Sequence, residues 1–232
     1  MNKAGLVKEL NLLKAIEKEY PDGIIKGTSK KRKKLITLTE LGGKHFRSPE
    51  MFDLLKKYWN NNEEDVLYII NMELIDILTP SAAKILVDSV PKLAAERKKP
   101  IVFKSVRPHV AESLNVAAIM CEPPMPIWIE VENGEFKLIG KLPGRFETLM
   151  SKLEEAGCPC SASNIAIQTS GEASKKTVNK LSVYLQEMVN LGLVGRIKEN
   201  AGSAQNRERG WTYLYHRPDD KILADLKSIK QP

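Results

Sequence analysis

The stretch DVLYIINMELIDILTPSAAKILVDSV, residues 65–90, decides the fold of the middle of this chain. It begins with DVLYIINM, a nearly continuous apolar run that is typical of a strand buried on both faces. It ends with TPSAAKILVDSV, in which Thr79 is a helix cap and Pro80 stands at the first helical position. A buried strand followed by a capped helix predicts part of an α/β layer.

The same exchange of strand and helix occurs on both sides of this stretch. KLITLTEL and IVFKSV predict further strands at residues 34–41 and 101–106, and RPHVAESLNVAA predicts a helix at residues 107–118. SPEMFDLLKKYW predicts another helix, with Ser48 as its cap and Pro49 at the first helical position. Three such exchanges imply right-handed crossovers, and so a largely parallel sheet covered by helices.

A hairpin follows the α/β pattern. In PIWIEVENGEFKLIGKL, residues 126–142, two alternating strands flank Asn133-Gly134, which supplies the positive φ angles of a tight turn. We predict that this hairpin is separate from the sheet. Pro143-Gly144 then breaks the pattern, so the α/β domain is predicted to span residues 35–142.

Residues 1–34 form a segment of their own in front of this domain. Apolar residues recur there at steps of three and four: Leu6, Leu10, Leu13, Ile16 and Tyr20. This period predicts an amphipathic helix, which packs on its own domain or pairs with a second copy. The run KKRKK at residues 30–34 favours an exposed loop, and a solvated loop, a phosphate-contacting arm and a localisation signal remain open for it.

After the boundary, the pattern predicts three helices and a hairpin over residues 143–218. RFETLMSKLEEAG is the first helix and closes at Gly157. SASNIAIQTSG is a short helix capped by Ser161 or Ser163. The third helix begins near Ser174 and ends at Gly192. The residues predicted to face the core are Phe146, Leu149, Met150, Leu153, Ile165, Ala166, Ile167, Val178, Leu181, Leu185 and Met188.

Two strands complete this region. LVGRIK and WTYLYH flank the polar loop ENAGSAQNRERG, and residues 219–232 are predicted to be a short helix or tail. The exposed face of the third helix carries lysines and an asparagine near its amino end, where the helix dipole is positive. Arg207 and Arg209 lie in the loop. A helix face and a loop of this kind fit the major groove and the adjacent backbone or minor groove of DNA.

The succession VLYIINMELIDILTPSAAKIL, IVFKSV and HVAESLNV resembles the STAS domain of anti-sigma-factor antagonists, particularly its STAS-like variants, over residues 35–120. The resemblance implies an α/β domain that binds a protein partner. It also implies a phosphorylation or partner site at Thr79 and Ser81, where the family carries its regulatory Ser or Thr. Because the family's Asp-Ser-Ser-Gly type of sequence is replaced here by ILTP, a plain helix cap is the other interpretation of Thr79.

The passages SASNIA, NLGLVGRIK and RERGWTYLY resemble the winged helix-turn-helix domain of prokaryotic transcription regulators, over residues 143–218. The turn TSGEASKK is longer than is usual in that family. The resemblance and the charge pattern together predict a set of DNA-contacting residues: Ser174, Lys175, Lys176, Asn179, Lys180, Ser182, Asn206, Arg207 and Arg209.

The distribution of charge agrees with a polyanion contact at the two ends. The net charge is +7. Residues 1–40 hold 10 lysines and arginines against 5 acidic residues, residues 41–140 hold 12 against 14, and residues 141–218 hold 11 against 7. Ordinary surface charge is the alternative explanation.

Several classes of function find no support in the sequence. Cys158-Pro159-Cys160 lacks the ligand count and spacing of a zinc site, and no glycine-rich phosphate loop, GxSxG elbow or HExxH motif occurs. Three cysteines fit free thiols in a reducing cytoplasm, and no apolar run reaches the about 20 residues that cross a bilayer. Trp211, Tyr213 and Tyr215 alternate on one strand face and are interpreted as core or hairpin cross-packing residues in preference to a base-stacking platform.

The sequence therefore predicts an α/β STAS-like domain followed by an α+β winged helix-turn-helix domain, in a cytoplasmic homodimer without cofactor, metal or membrane contact. The predicted function is that of a non-enzymatic transcription regulator which binds double-stranded DNA. The alternative is a non-enzymatic adaptor of the partner-switching type, whose winged helix docks on a protein.

Overall fold

Strands and helices alternate along the chain in the computed structural model, which describes residues 7–19, 24–27, 35–38, 47–59, 66–131, 134–157, 159–200 and 211–218. The strands are β1 (Val7–Asn11), β2 (Ile24–Gly27), β3 (Leu35–Leu38), β4 (Leu67–Asn71), β5 (Ile77–Leu78), β6 (Ile101–Lys104), β7 (Ile127–Glu130), β8 (Phe136–Ile139), β9 (Gly195–Asn200) and β10 (Trp211–His216). The helices are α1 (Leu12–Glu19), α2 (Ser48–Tyr58), α3 (Pro80–Arg97), α4 (Pro108–Met120), α5 (Gly144–Glu155), α6 (Ala162–Ser170) and α7 (Lys175–Asn190).

The main sheet has five strands in the order β1-β4-β6-β7-β8. The first four run parallel and β8 runs antiparallel to β7, which confirms the predicted α/β class with a largely parallel sheet. The prediction of a separate hairpin is wrong. β7 pairs with β6, with Val102 opposite Trp128, so the hairpin completes one edge of the sheet.

All helices of the first half of the chain cover one face of this sheet. The strand order follows the chain order, and right-handed crossovers that always advance in one direction place their helices on one side. On that side Tyr68, Ile70, Ile101 and Phe103 pack into a core with the buried faces of α1 to α4. Among the described residues of this part of the chain, no helix covers the other face of the sheet.

The carboxyl-terminal unit covers that second face. Alternate residues of the same strands, among them Leu67, Ile69 and Val102, share a core with α5, α6 and α7. The predicted boundary at residues 142 and 143 falls between β8 and α5. The units on its two sides pack directly on each other, without a spacer between their cores.

The predicted helix from Leu6 to Tyr20 is wrong in its first half. Val7–Asn11 is β1, an edge strand parallel to β4, and the helix starts only at Leu12. Asn11 ends the strand and caps α1, since its Oδ1 accepts a hydrogen bond of 3.1 Å from the backbone N–H of Lys14. Leu10 is buried in β1, and it would also face the core in the predicted helix, so helical spacing alone does not distinguish strand from helix here.

A second sheet contains β2, β3 and β5, with β3 parallel to β5 and antiparallel to β2. The predicted strand in KLITLTEL is therefore confirmed at β3, but it belongs to this small sheet. The predicted cap of α2, Ser48, is wrong by one residue: Arg47 is the cap and Ser48 is the first helical residue. The Ser48 hydroxyl donates a hydrogen bond of 3.1 Å to Asp88 Oδ2 instead.

The carboxyl-terminal unit consists of three helices and the antiparallel hairpin β9-β10. Cys160 joins the hairpin through an isolated antiparallel bridge to Tyr215, with N···O distances of 3.0 and 2.8 Å. The residues predicted to face the core are buried or pack against it, with one exception. Ile167 is 52% exposed because Ile165 and Ala166 already occupy the inner side of the short helix α6. Ser161 is the cap of α6.

Within the described residues, no helix combines the length and the apolar composition needed to cross a bilayer.

Candidate nucleic-acid interface

The amino end of α7 is built to expose its polar side. Ser174 caps the helix, and its Oγ accepts a hydrogen bond of 3.3 Å from the N–H of Thr177. Leu185, Met188 and Val189 bury the opposite face against the core of the unit. This packing fixes the rotation of α7, so the residues on its other side point away from the protein.

Four of the predicted DNA-contacting side chains are exposed together on that side: Lys175, Lys176, Asn179 and Lys180. The first turn contains no acidic residue. Cations at the amino end of a helix oppose the dipole and each cost about 0.3–1 kcal/mol. Lys175 and Lys176 therefore do not stabilise the helix, and an anion placed there would be attracted by both the lysines and the dipole.

A groove of about 330 Å³ runs between α7, the start of α6 and β10. Asn179, Ser182 and Gln186 of α7 line one wall, and Trp211 and Tyr213 line the other. Ser182, half-buried, lies in this groove beside Asn179. The groove thus joins the polar face of α7 to the aromatic face of the hairpin.

Two cations stack on that aromatic face. The register sets Tyr213 opposite Lys198 and Tyr215 opposite Arg196, so these side chains share one side of the hairpin. Lys198 Nζ lies 4.8 Å from the centroid of the Trp211 ring, and Arg196 Cζ lies 4.4 Å from that of Tyr213. These distances are in the range of cation–π interactions.

Arg196 also reaches α7. Its Nη1 donates a hydrogen bond to Gln186 Oε1, which ties the hairpin to the wall of the groove. Trp211 and Tyr213, neighbours on one side of β10, make an edge contact with centroids 4.7 Å apart. Tyr215 is buried in the core of the unit, as predicted for a core residue, whereas Trp211 and Tyr213 line the groove. Burial raises the pKa of the Tyr215 phenol.

The structure brings six of the nine predicted DNA-contacting residues to one region: Ser174, Lys175, Lys176, Asn179, Lys180 and Ser182. Asn206, Arg207 and Arg209 lie in residues 201–210, outside the described residues. The sequence interpretation missed Gln186, Arg196 and Lys198. Alternation along LVGRIK places Arg196 and Lys198 on one side of a strand, but only the register with β10 shows which side that is.

Thr79 and Ser81, the predicted phosphorylation or partner site, lie at the start of α3. Thr79 is the cap, and its Oγ1 accepts a hydrogen bond of 3.4 Å from the N–H of Ala82. Ser81 lines a second groove, between α3 and α4. The interpretation of Thr79 as a cap is confirmed, and a regulatory role for either hydroxyl stays a prediction.

The other groups of chemical interest in the described residues are possible metal ligands, two thiols and one buried histidine. In the part of the chain that the structure describes, no three His, Cys, Asp or Glu side chains lie together as metal ligands would. Cys121 and Cys160 are buried, the Cys121 thiol donates a hydrogen bond of 3.3 Å to Asp88 Oδ1, and Cys158 is outside the described residues. His216 is buried against Gly195, and desolvation lowers its pKa to about 4. It is therefore neutral at pH 7.

Comparison of the chain with protein-family models, with curated proteins and with solved structures finds no match.

Proposed function

We propose that the chain is a non-enzymatic, cytoplasmic transcription regulator that binds duplex DNA through a winged helix at residues 143–218. The order of elements supports this proposal. α5, the bridge at Cys160, α6, α7 and the hairpin β9-β10 follow one another as the helices and strands of a winged helix-turn-helix domain do. The isolated bridge of Cys160 to Tyr215 lies where a domain of this kind has a short third strand.

The observation that carries the proposal is the exposed amino end of α7. A helix is about 10–12 Å across with its side chains, and the major groove of B-DNA is about 12 Å wide. Lys175 and Lys176 stand where the helix dipole is positive and no acidic residue of the first turn neutralises them. Phosphates are the anions that such a helix end meets in a groove, while the amide of Asn179 is suited to base edges.

The hairpin extends the contact beyond α7. Lys198 and Arg196 lie on the side of the hairpin that faces the groove, held by Trp211 and Tyr213. Stacking on an aromatic ring restricts a long side chain, so less conformational entropy is lost when it meets a phosphate. In this proposal Arg207 and Arg209 reach the backbone or the adjacent minor groove.

The α/β domain serves regulation or partner binding in this proposal, as its resemblance to STAS-like domains implies. Its sheet and the end of α7 are in direct contact, because Trp128 Nε1 donates a hydrogen bond of 3.0 Å to Leu193 O. A change in the sheet would therefore act on the DNA-binding helix without an intervening linker.

The test is binding to a random-sequence duplex, followed by fluorescence anisotropy at several salt concentrations. Lys175→Ala and Lys176→Ala should each lower the slope of log K against log salt by about 1. Lys92→Ala, which removes the same charge from an exposed position on α3, is the control and should leave the slope unchanged. If the unaltered chain shows no salt-dependent binding, the proposal fails and the adaptor function is favoured.

A further inference from the structure

The groove between α7, the start of α6 and β10 has two walls of different chemistry. Trp211 and Tyr213 of β10 line it with aromatic rings. On the wall formed by α7, Val178, Ser182 and Gln186 follow one another at intervals of four residues, so they form one row along the helix. A nucleobase combines a flat apolar face with a polar edge, and these two walls are complementary to that combination.

The two cations of the hairpin approach these rings from the side of β9. One edge of β10 pairs with β9, and the isolated bridge of Cys160, which leads into α6, lies at the other edge. Arg196 and Lys198 belong to β9 and lie over Tyr213 and Trp211. Neither cation is among the described residues that line the groove. The side of the two rings toward α6 is therefore open to a planar ligand, with positive charge next to it.

The groove adjoins the end of α7 that the proposed function assigns to phosphates. Asn179 belongs to both regions, since it is exposed beside Lys175 and Lys176 and also lines the groove. Lys175 precedes Asn179 by four residues, which is about 6 Å along the helix axis. The Asn179 amide and the Ser182 hydroxyl can each donate and accept hydrogen bonds, as the edges of bases require. A nucleotide whose phosphate meets the lysines therefore has the groove within reach of its base.

We propose that this groove receives one unpaired nucleobase, so that the chain prefers a duplex with a mismatched position to a fully paired duplex. In paired DNA each base is stacked and its polar edge is bonded to its partner, and the cost of extruding a base is least at a mismatch. Stacking on an aromatic ring does not depend on which base is present. The inference rests on the proposed DNA binding and adds to it a preference for a DNA structure.

The first test measures the binding of the full chain to three duplexes of one length by fluorescence anisotropy. One duplex is fully paired, the second has a single mismatch, and the third has abasic residues at that position in both strands. All three have the same number of phosphates, so contacts to the backbone contribute equally. The mismatched duplex should bind about tenfold more tightly than either of the others. The third duplex distinguishes insertion of a base from a preference for flexible DNA.

The variant Trp211→Leu should reduce this tenfold ratio of affinities to nearly one, because it removes an aromatic ring from the groove. The ratio is taken within each variant, so a weaker contact of Lys198, which lies over Trp211, cancels out. Tyr58→Leu is the matched control. Tyr58 is also half-buried, but it lies on α2 at the other face of the sheet, so this variant should keep the ratio. Circular dichroism checks that both variants are folded.

The second test uses the tryptophan fluorescence of the unaltered chain. Of its three tryptophans, Trp59 and Trp128 are buried and Trp211 is half-buried at the groove. A base stacked on Trp211 quenches its emission, so the mismatched duplex should quench more strongly than the abasic one. Equal affinity for the three duplexes, equal quenching, or an unchanged ratio in Trp211→Leu overturns the inference, while salt-dependent binding of the paired duplex still supports the proposed function. Failure to bind any duplex overturns both.

Discussion

The indole N–H of Trp128 donates a hydrogen bond of 3.0 Å to the carbonyl oxygen of Leu193. Trp128 lies in β7 of the main sheet, and Leu193 lies in the turn that follows α7. Both residues are buried, so this bond connects the two halves of the chain inside the protein. A change that weakens this interface should therefore affect both the stability of the sheet and the position of α7.

We predict that Trp128→Phe lowers the free energy of unfolding by about 1–3 kcal/mol, since it leaves the buried Leu193 carbonyl without its donor and removes part of a packed ring. Urea denaturation measures the change. Trp211→Phe is the control, because Trp211 is only half-buried at the end of the hairpin, and it should cost less. Equal losses in the two variants would contradict a special role for the bond.

The turn after α7 offers a second test of this interface. Gly192 has a φ of 69°, and a Cβ at this position would overlap the backbone and side chain of Ala94 in α3. Gly171, after α6, has a φ of 76° but nothing within 4 Å of an added Cβ. Gly171→Ala should cost only the backbone strain, about 1–2 kcal/mol.

Gly192→Ala should cost clearly more than Gly171→Ala, because it adds the overlap with α3 to the same strain. The difference in thermal midpoint between the two variants isolates the contact between α3 and the end of α7. Similar midpoints would mean that α3 yields to the added methyl group without cost.

The titration of His216 should make the free energy of unfolding depend on pH. Desolvation lowers the pKa of His216 from 6.5 to about 4, so below pH 6.5 the unfolded chain binds a proton that the folded chain does not. Stability is complete above pH 6.5 and falls as the pH drops toward 4. The loss from this group approaches about 3 kcal/mol at the lower end, at about 1.4 kcal/mol for each pH unit.

Denaturation of His216→Gln between pH 7 and 4.5 should show a shallower fall, because glutamine does not titrate. Asp88 adds little in this pH range: desolvation opposes the shift, but hydrogen bonds from Cys121, Lys84 and Ser48 lower its pKa below the ordinary 3.8, so its contribution to stability is lost only at more acidic pH. If the slopes of variant and unaltered chain are parallel, His216 is accessible to protons in the folded state.

A further prediction concerns the two cations of the hairpin, Arg196 and Lys198, and the salt dependence of DNA binding. Lys198→Ala should lower the salt slope of binding by about 1 while leaving the melting temperature nearly unchanged, because Lys198 is exposed. Arg196→Ala should lower both, since Arg196 also bonds Gln186. Lys137→Ala, an exposed lysine of β8, is the control for charge. An unchanged salt slope in Lys198→Ala would exclude this residue from the contact.

Local signals in the sequence predict the type of most described elements, and the errors arise where distant residues decide. Residues 7–11 share the helical spacing of the residues after them, and only pairing with β4 makes them a strand. The hairpin β7-β8 has the sequence pattern of an independent unit, and only the parallel pairing of β7 with β6 makes it part of the sheet. Neither partner is visible in the segment itself.

The same distinction applies to the candidate interface. The polar face of α7 follows from helical spacing and its buried side, so its six residues could be predicted. Arg196 and Lys198 could not, since their side of the hairpin depends on the register of β9 with β10. The covering of the sheet by the carboxyl-terminal unit was also out of reach, because nothing in a buried strand says which later segment will cover it.

Each half of the chain covers a different face of the main sheet, so neither half is expected to be produced in folded form without the other. A fragment that stops before α5 would expose a hydrophobic surface through which fragments would associate with one another. This surface contains Leu67, Ile69, Val102 and Trp128. Cutting the chain at its apparent boundary would therefore yield aggregates in place of an isolated regulatory module.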